Sequence, residues 1–295
     1  MNHSGEICLA VDVGGTKCAA GLVTSEGRLL VRRQVATSPV EPGAGAEGLF
    51  LVLARLVKEV MALAEEVVPS APLAVCGVGC GGPMTRGGTE VSPLNIPVWR
   101  RFPLLERLRE VTGLPTAVDN DAKALALAEG WVGAAAGLCD FLAMVVSTGV
   151  GGGIVLDGRL LDGGDGNAGH IGHVIVEPEG RQCACGAFGC LEAEASGTAI
   201  AAITGKPPAE ASPLIVSRAG LLVGRAVASV CNLLDLPLAV VAGSVALGFG
   251  PPFFDAASAE LASRARLRFS SGSKIVPAGL GADGPLIGAA AVGWR

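Results

Sequence analysis

The 295-residue sequence has no apolar run long enough to cross a membrane and no basic cluster. Its longest apolar runs, such as Leu233 to Ala242, are interrupted by Asp235 and Pro237. They fall far short of the roughly 20 residues a spanning helix needs. The amino-terminal MNHSGE lacks a basic start followed by an apolar run, so no secretory leader is expected. No basic run exceeds Arg32-Arg33 or Arg100-Arg101, and 22 Lys plus Arg are outnumbered by 27 Asp plus Glu, giving a net charge of −5. Binding that depends on neutralising a phosphate backbone is therefore disfavoured. The Walker A spacing GxxxxGK[ST] is also missing. These absences lead to the expectation of a cytoplasmic protein with no membrane and no nucleic-acid partner. Most of the nine cysteines, among them Cys8, Cys18, Cys76, Cys139 and Cys231, are scattered through apolar segments, as reduced core thiols would be.

One cysteine group differs. In the segment 163–192, His173 is followed by Cys183, Cys185 and Cys190 among glycines. Three thiols and an imidazole would fill the tetrahedron of a structural Zn²⁺ site. Gly186 and Gly189 permit the tight reversal that would bring Cys185 and Cys190 to one ion. Free thiols or a disulfide are the alternatives. Both leave the CxC spacing unexplained, because neighbouring strand residues diverge unless a turn or a metal gathers them. Polar residues flank the group: Asn167, His170, Glu192 and Glu194.

The chain is long enough for two domains, and strands alternating with helices predict an α/β fold. Residues 7–23 read as strand, glycine turn, strand. The turn carries Gly14, Gly15, Thr16 and Lys17 just after Asp12. Backbone N–H groups of such a turn approach an anion closely, and Asp12 beside it suggests a carboxylate near a nucleotide-bound Mg²⁺. Residues 141–156 repeat the layout around Ser147-Thr148-Gly149. The repetition predicts two related domains, each offering a phosphate turn to one cleft. Between the repeats, helices are expected over 47–67 and 104–112, a strand over 73–76, and a glycine-rich turn over 77–83. Asp119-Asn120-Asp121 ends a short strand at the start of a helix. One Asx there would be an N-cap; three in a row predict that one of them points into the cleft. Further on, helices are expected over 193–204, 214–234, 254–269 and 284–294. Strands are expected over 238–242 and 274–277, with Gly243 and Ser244 placed for a nucleotide's sugar and base.

Taken together, DVGGTK (12–17), NDA (120–122), STGVGGG (147–153), AGHIGH (168–173), CACGAFGCLEAEASG (183–197) and AGSV (242–245) resemble the ROK family of repressors, open reading frames and kinases. The resemblance covers essentially the whole chain. It implies the actin-like, hexokinase-type two-domain fold: residues 1–120, joined by the C-terminal helix 284–295, and a larger domain 121–283. It also implies homodimers and ATP-dependent phosphorylation of a hexose 6-hydroxyl, with an N-acylhexosamine such as N-acetylmannosamine as the alternative acceptor. A sugar-sensing regulator without catalysis is the alternative of another class, and polyphosphate the alternative donor. By resemblance Asp121 is the base, and Gly82, Asn95, Asn120, His173 and Glu192 contact the sugar. ROK repressors carry a helix-turn-helix before the DxGGTK strand, which here starts within the first ten residues. ROK glucokinases usually have Glu where His170 stands, near the C1 and C2 hydroxyls, whereas bacterial N-acetylmannosamine kinases look more like AGHxGH. Lys123 replaces a frequent Asn and is expected to point to solvent. The segment 202–213 is shorter than usual.

Overall fold

The computed structural model describes residues 5–37 and 45–295; the first four residues, read above for a leader, lie outside them. Five strands, β1 (Ile7–Val13), β2 (Lys17–Thr24), β3 (Leu29–Ala36), β4 (Leu73–Cys80) and β5 (Thr116–Asn120), form a sheet of order β3-β2-β1-β4-β5. Neighbours among β1, β2 and β3 are antiparallel, while β4 runs parallel to β1 and β5 parallel to β4. A second sheet contains β6 (Phe141–Val146), β7 (Val150–Leu156), β8 (Arg159–Leu160), β9 (Leu238–Ala242) and β10 (Lys274–Pro277), in the order β8-β7-β6-β9-β10. Its directions repeat those of the first, strand for strand.

Two compact units result. The first holds Met1–Val132, Asp162–Ala168 and Ala282–Arg295; the second holds Gly133–Leu161 and Gly169–Gly281. The division falls after Val132 rather than after residue 120, because helix α3 (Asp121–Val132) packs on α9 (Gly284–Trp294). The approach is close: a Cβ on Gly288 would lie 2.7 Å from the carbonyl oxygen of Ala124.

In the first unit β1 is buried on both faces. Ile7, Leu9, Val11 and Val13 share a core with Leu49, Leu53, Val57 and Val60 of α1 (Gly45–Val67) and with Leu104 and Leu108 of α2 (Leu104–Thr112). Those α1 residues recur at helical spacing and so form one stripe. Cys8 and Ala10 face the other way, onto Ala289 and Ala290 of α9. Side chains on that face are small because the helix backbone lies against the sheet. A Cβ on Gly77 would sit 2.0 Å from Ala289 O. Gly77 and Gly79 therefore belong to β4, and the glycine turn expected over 77–83 begins only after Cys80.

The second unit adds α4 (Leu191–Ala195), α5 (Gly197–Thr204), α6 (Pro213–Leu234), α7 (Ser244–Phe249) and α8 (Pro251–Arg264). The single helix expected over 193–204 starts earlier and is broken at Ser196, whose backbone is extended and whose Oγ caps α5 by accepting from Ala199 N at 3.0 Å. The segment 202–213 contains one 3-10 turn, Pro208–Glu210, before α6. The helix expected over 254–269 occupies Pro251–Arg264. Helix α6 is long and apolar enough, by length and composition, to cross a membrane, which the broken runs in the sequence did not suggest. It buries Val216, Leu222 and Val223, and a Cβ on Gly220 or Gly224 would come within 2.3 Å of a carbonyl oxygen of α8. That hydrophobicity serves a core helix.

Gly77→Ala should cost about 1–3 kcal/mol through overpacking, read as a lower midpoint in urea denaturation. A wild-type midpoint would mean that α9 does not lie on this face of the sheet.

Candidate active site

Strands buried on both faces offer polar groups only at their ends, and in open α/β sheets ligands bind beyond the carboxyl ends. Asp12 lies near that end of β1, Gly81 and Gly82 follow β4, and Asn120 ends β5. The β1–β2 turn is closed by Gly14 N donating to Lys17 O at 3.0 Å. Thr37 braces it from outside: its Oγ1 donates to Gly14 O at 2.7 Å and its N donates to Thr16 O at 3.0 Å. Thr16 and Lys17 are exposed. A Cβ on Gly15 would lie 2.8 Å from the side chain of Asn95, and one on Gly81 would lie 3.2 Å from Asn95 Oδ1. Asn95 thus stands between the β1–β2 turn and the turn after β4. Gly82 faces Asn120, whose Nδ2 is 3.2 Å from where its Cβ would be.

Asn120 does the capping work on α3, its Oδ1 accepting from Ala122 N at 3.0 Å, while Asp121 Oδ1 accepts from the same N–H at 2.8 Å. Asp121 is exposed. A Cβ on Gly79 would be 3.8 Å from both Asp12 Oδ1 and Asp121 Cα, so a glycine separates the two acids. Burial, and after it the Asp121 carboxylate, push Asp12 up to about 7 against the pull of Lys17 and Arg32. A carboxylate in that state fits a divalent cation, which would supply the missing positive charge.

In the second unit the turn between β6 and β7 is the counterpart. Ser147 N donates to Gly149 O at 2.9 Å, and Ser147 O accepts from Gly197 N at 2.7 Å. Thr148 O accepts from Thr198 Oγ1 at 2.9 Å. Ser147 Oγ and Ser244 Oγ are 2.9 Å apart, joining this turn to the one after β9. Gly243, at φ 100°, lies so close to the end of β6 that its Cβ would be 2.2 Å from Val146 O. Glu192 Oε2 accepts from Val150 N at 2.8 Å and lies 2.7 Å from where a Gly149 Cβ would be.

The donor atoms of His173, Cys183, Cys185 and Cys190 all lie within 4.8 Å of one another. Cys185 Sγ and Cys190 Sγ are 3.7 Å apart, as are Cys183 Sγ and His173 Nδ1. A zinc tetrahedron has edges of about 3.8 Å between sulfurs and about 3.6 Å between sulfur and nitrogen. A disulfide needs about 2.05 Å, so the spacing fits a metal and not a disulfide. Burial, with the thiols of Cys185 and Cys183 beside it, pushes Cys190 up to about 12, a cost a cation would remove. Gly189 is required here, since its Cβ would lie 1.5 Å from Glu177 O. The loop is fastened to α6: the fully buried Glu194 accepts from Arg181 Nη1 and Arg218 Nη2, both at 2.6 Å, and Arg225 Nη1 donates to Val176 O at 2.7 Å. Glu194 is thus a structural anchor. The rings of His170 and His173 are 5.9 Å apart, and His170 is exposed.

Lys123 does not point to solvent. Its side chain is 3% exposed, and Nζ donates to Asp119 Oδ1 at 2.9 Å and Asp162 Oδ1 at 2.8 Å. Thr37, Thr198 and Asp162 were missed as well. Each meets the site through a partner distant in sequence, and none lies in a motif.

The repeated sheet topology, with polar turns at the carboxyl ends of both sheets, defines the actin-like two-domain class of phosphotransfer folds. A profile of the ROK family matches residues 8–294. An N-acetylmannosamine kinase of Escherichia fergusonii is 37% identical over 258 residues, which cover 82% of this chain and 84% of that protein. The ROK family glucokinase from Streptomyces griseus, in complex with glucose and AMPPNP, matches with a TM-score of 0.79 at 29% identity, over 98% of this chain and 99% of that one. The ROK hexokinase from Thermus thermophilus matches at 0.80 with 34% identity, over 98% of each chain. The chain belongs to the ROK family and is one of its kinases.

The raised pKa of Asp12 has a stability signature. An acid that binds its proton more tightly when folded favours folding fully below its unfolded value, and that contribution is lost as pH rises toward about 7. Asp12→Asn should therefore raise the Tm of the ligand-free protein at pH 8, with the gain shrinking toward pH 5. A difference independent of pH would place Asp12 at an ordinary carboxylate value.

Proposed function

We propose that the protein transfers the γ-phosphoryl group of ATP to the 6-hydroxyl of an N-acylhexosamine, with glucose the poorer acceptor. The observation that carries the chemistry is the placement of exposed Asp121 next to Asp12 across Gly79. Asp121 accepts the proton of the sugar hydroxyl as that oxygen attacks the γ-phosphorus. The bond from phosphorus to the bridging oxygen breaks, and ADP carries away the electron pair. Asp12 would hold Mg²⁺, which when bound neutralises charge on the phosphate oxygens. Gly14, Gly15, Thr16 and Lys17, together with Thr148 and Gly149, are assigned to the phosphates, for which they offer N–H groups and a charge. Gly243 and Ser244 would lie beside the adenosine.

Asn120, His170, His173 and Glu192 are assigned to the sugar, with Gly82 and Asn95 shaping the turns behind them. His173, Cys183, Cys185 and Cys190 would hold a structural Zn²⁺, and a His173 ring that gave one nitrogen to the metal would have the other free to donate to a hydroxyl. His170 supports the acyl preference. A carboxylate there would accept from two hydroxyls, whereas an imidazole offers one donor and one acceptor and suits an amide. The E. fergusonii relative named for N-acetylmannosamine points the same way.

ADP release should be measured over N-acetylmannosamine, N-acetylglucosamine, mannose and glucose, with the highest kcat/KM expected on an N-acyl sugar. No turnover on any of them by folded, metal-loaded protein would overturn the reading. Asp121→Asn should lower kcat by about 10²–10⁴-fold, with sugar affinity retained.

The metal has its own test. Purified protein should carry about one equivalent of zinc, and Cys185→Ser should lose it and raise the sugar KM by about 10–100-fold. Full sugar affinity in the zinc-free variant would sink the idea that the clamp supports the sugar site.

A further inference from the structure

Four charged side chains outside the groups assigned above close into a ring. Lys123 Nζ bridges Oδ1 of Asp119 and Oδ1 of Asp162, at 2.9 and 2.8 Å. Arg295 bridges the two remaining oxygens, Nη1 donating to Asp119 Oδ2 at 2.9 Å and Nη2 to Asp162 Oδ2 at 2.6 Å. Each carboxylate therefore serves both cations, and the ring is neutral. The third Lys123 proton goes to Gly166 O at 3.1 Å. A buried ammonium whose three donors are matched by three acceptors has no equivalent arrangement to move to.

The ring meets the chain at informative places. Asp119 precedes Asn120 and accepts its N–H at 2.8 Å, while Lys123 lies in the first turn of α3. The ring thus holds the backbone at Asn120, while the Asp121 carboxylate has its own bond from Ala122 N. Asp162 and Gly166 belong to a loop closed by Ala168 N donating to Asp162 O at 2.9 Å. Gly169 comes next, at φ 101°, with no room for a Cβ beside Gly152 O, and then His170. Asp162 to Ala168 belong to the unit that holds the ring, and Gly169 and His170 to the other.

We propose that Lys123 and Arg295 are positioning residues, setting sugar affinity through Asp119, which fixes Asn120, with Asp162 holding both cations in place. The inference rests on the sugar-kinase reading. Its consequence is specific: loosening the ring loosens the acceptor sugar and spares both the nucleotide turns and the proton acceptor.

The test is a cycle of Arg295→Gln, Asp162→Asn and the double variant. Sugar Kd is measured by calorimetry beside kcat and both KM values. Arg295 is 40% exposed, so its variant is expected to fold; Lys123→Met is added where it folds. The expected result is a sugar KM and Kd raised about tenfold, with kcat and the ATP KM within about twofold. The double variant should match the singles because one ring has been opened. Arg295→Lys, which keeps the charge, should recover part of the affinity. Unchanged sugar affinity overturns the proposal, as does a parallel loss in kcat, ATP KM and Tm, which would mark a merely structural ring. If the wild type binds sugar without phosphorylating it, the kinase reading fails while the Kd comparison still decides the ring. If it binds no sugar, both fall.

Discussion

A strand buried on both faces can carry polar chemistry only where it ends, and this constraint governs the arrangement of the molecule. The first sheet spends Ile7, Leu9, Val11 and Val13 on one face of β1 and Cys8 and Ala10 on the other, so Asp12 is its first acidic group. β4 and β5 give way to Gly81-Gly82 and to Asn120-Asp121. β6 and β9 do the same for Ser147–Gly149 and Gly243-Ser244. Asp12, Gly82, Asn120, Asp121 and the turns Ser147–Gly149 and Gly243-Ser244 thus share one topological position used in two sheets, which follows from the packing of the strands, whereas His170 and His173 come from the segment after β8 and Glu192 from α4.

That constraint also explains what could be read from the sequence. Continuous apolar runs ending in glycine and Asx or Ser marked β1, β5, β6 and β9, and the repeat of strand, turn and strand anticipated the repeated topology. The His-Cys₃ cluster was legible because its four donors lie close together in sequence as well as in space. The glycines of β4 were misread because Gly77 answers to α9, more than two hundred residues away in sequence, and not to a turn. The same close packing drew α3 into the first unit and moved the division to Val132. Ser196 resembles any helical residue until its extended backbone is seen.

Charge was the least legible property. Burial alone would raise Asp162, yet the Lys123 ammonium and the Arg295 guanidinium hold it below its ordinary value. Its partners stand 39 and 133 positions away. Nothing local distinguishes such a lysine from one that extends into water, since the desolvation cost of a buried ammonium is met only by acceptors brought in by the fold. Glu194 repeats the lesson: beside Glu192 in an acidic helix, it is buried wholly under Arg181 and Arg218.

Glu192 shows how the proposed reaction could keep acceptor and donor in register. One carboxylate oxygen is committed to Val150 N, at the start of β7 and directly after the β6–β7 turn. Gly149 must remain without a side chain for that oxygen to reach its place. Cys190, two residues earlier, belongs to the His-Cys₃ cluster, so the loop carrying that cluster and the β6–β7 turn meet at a single carboxylate. On the proposed function, the other oxygen faces the sugar. On that reading a displacement of the turn moves the carboxylate assigned to the acceptor, so the hydrogen bond from Val150 N couples the two positions within one unit.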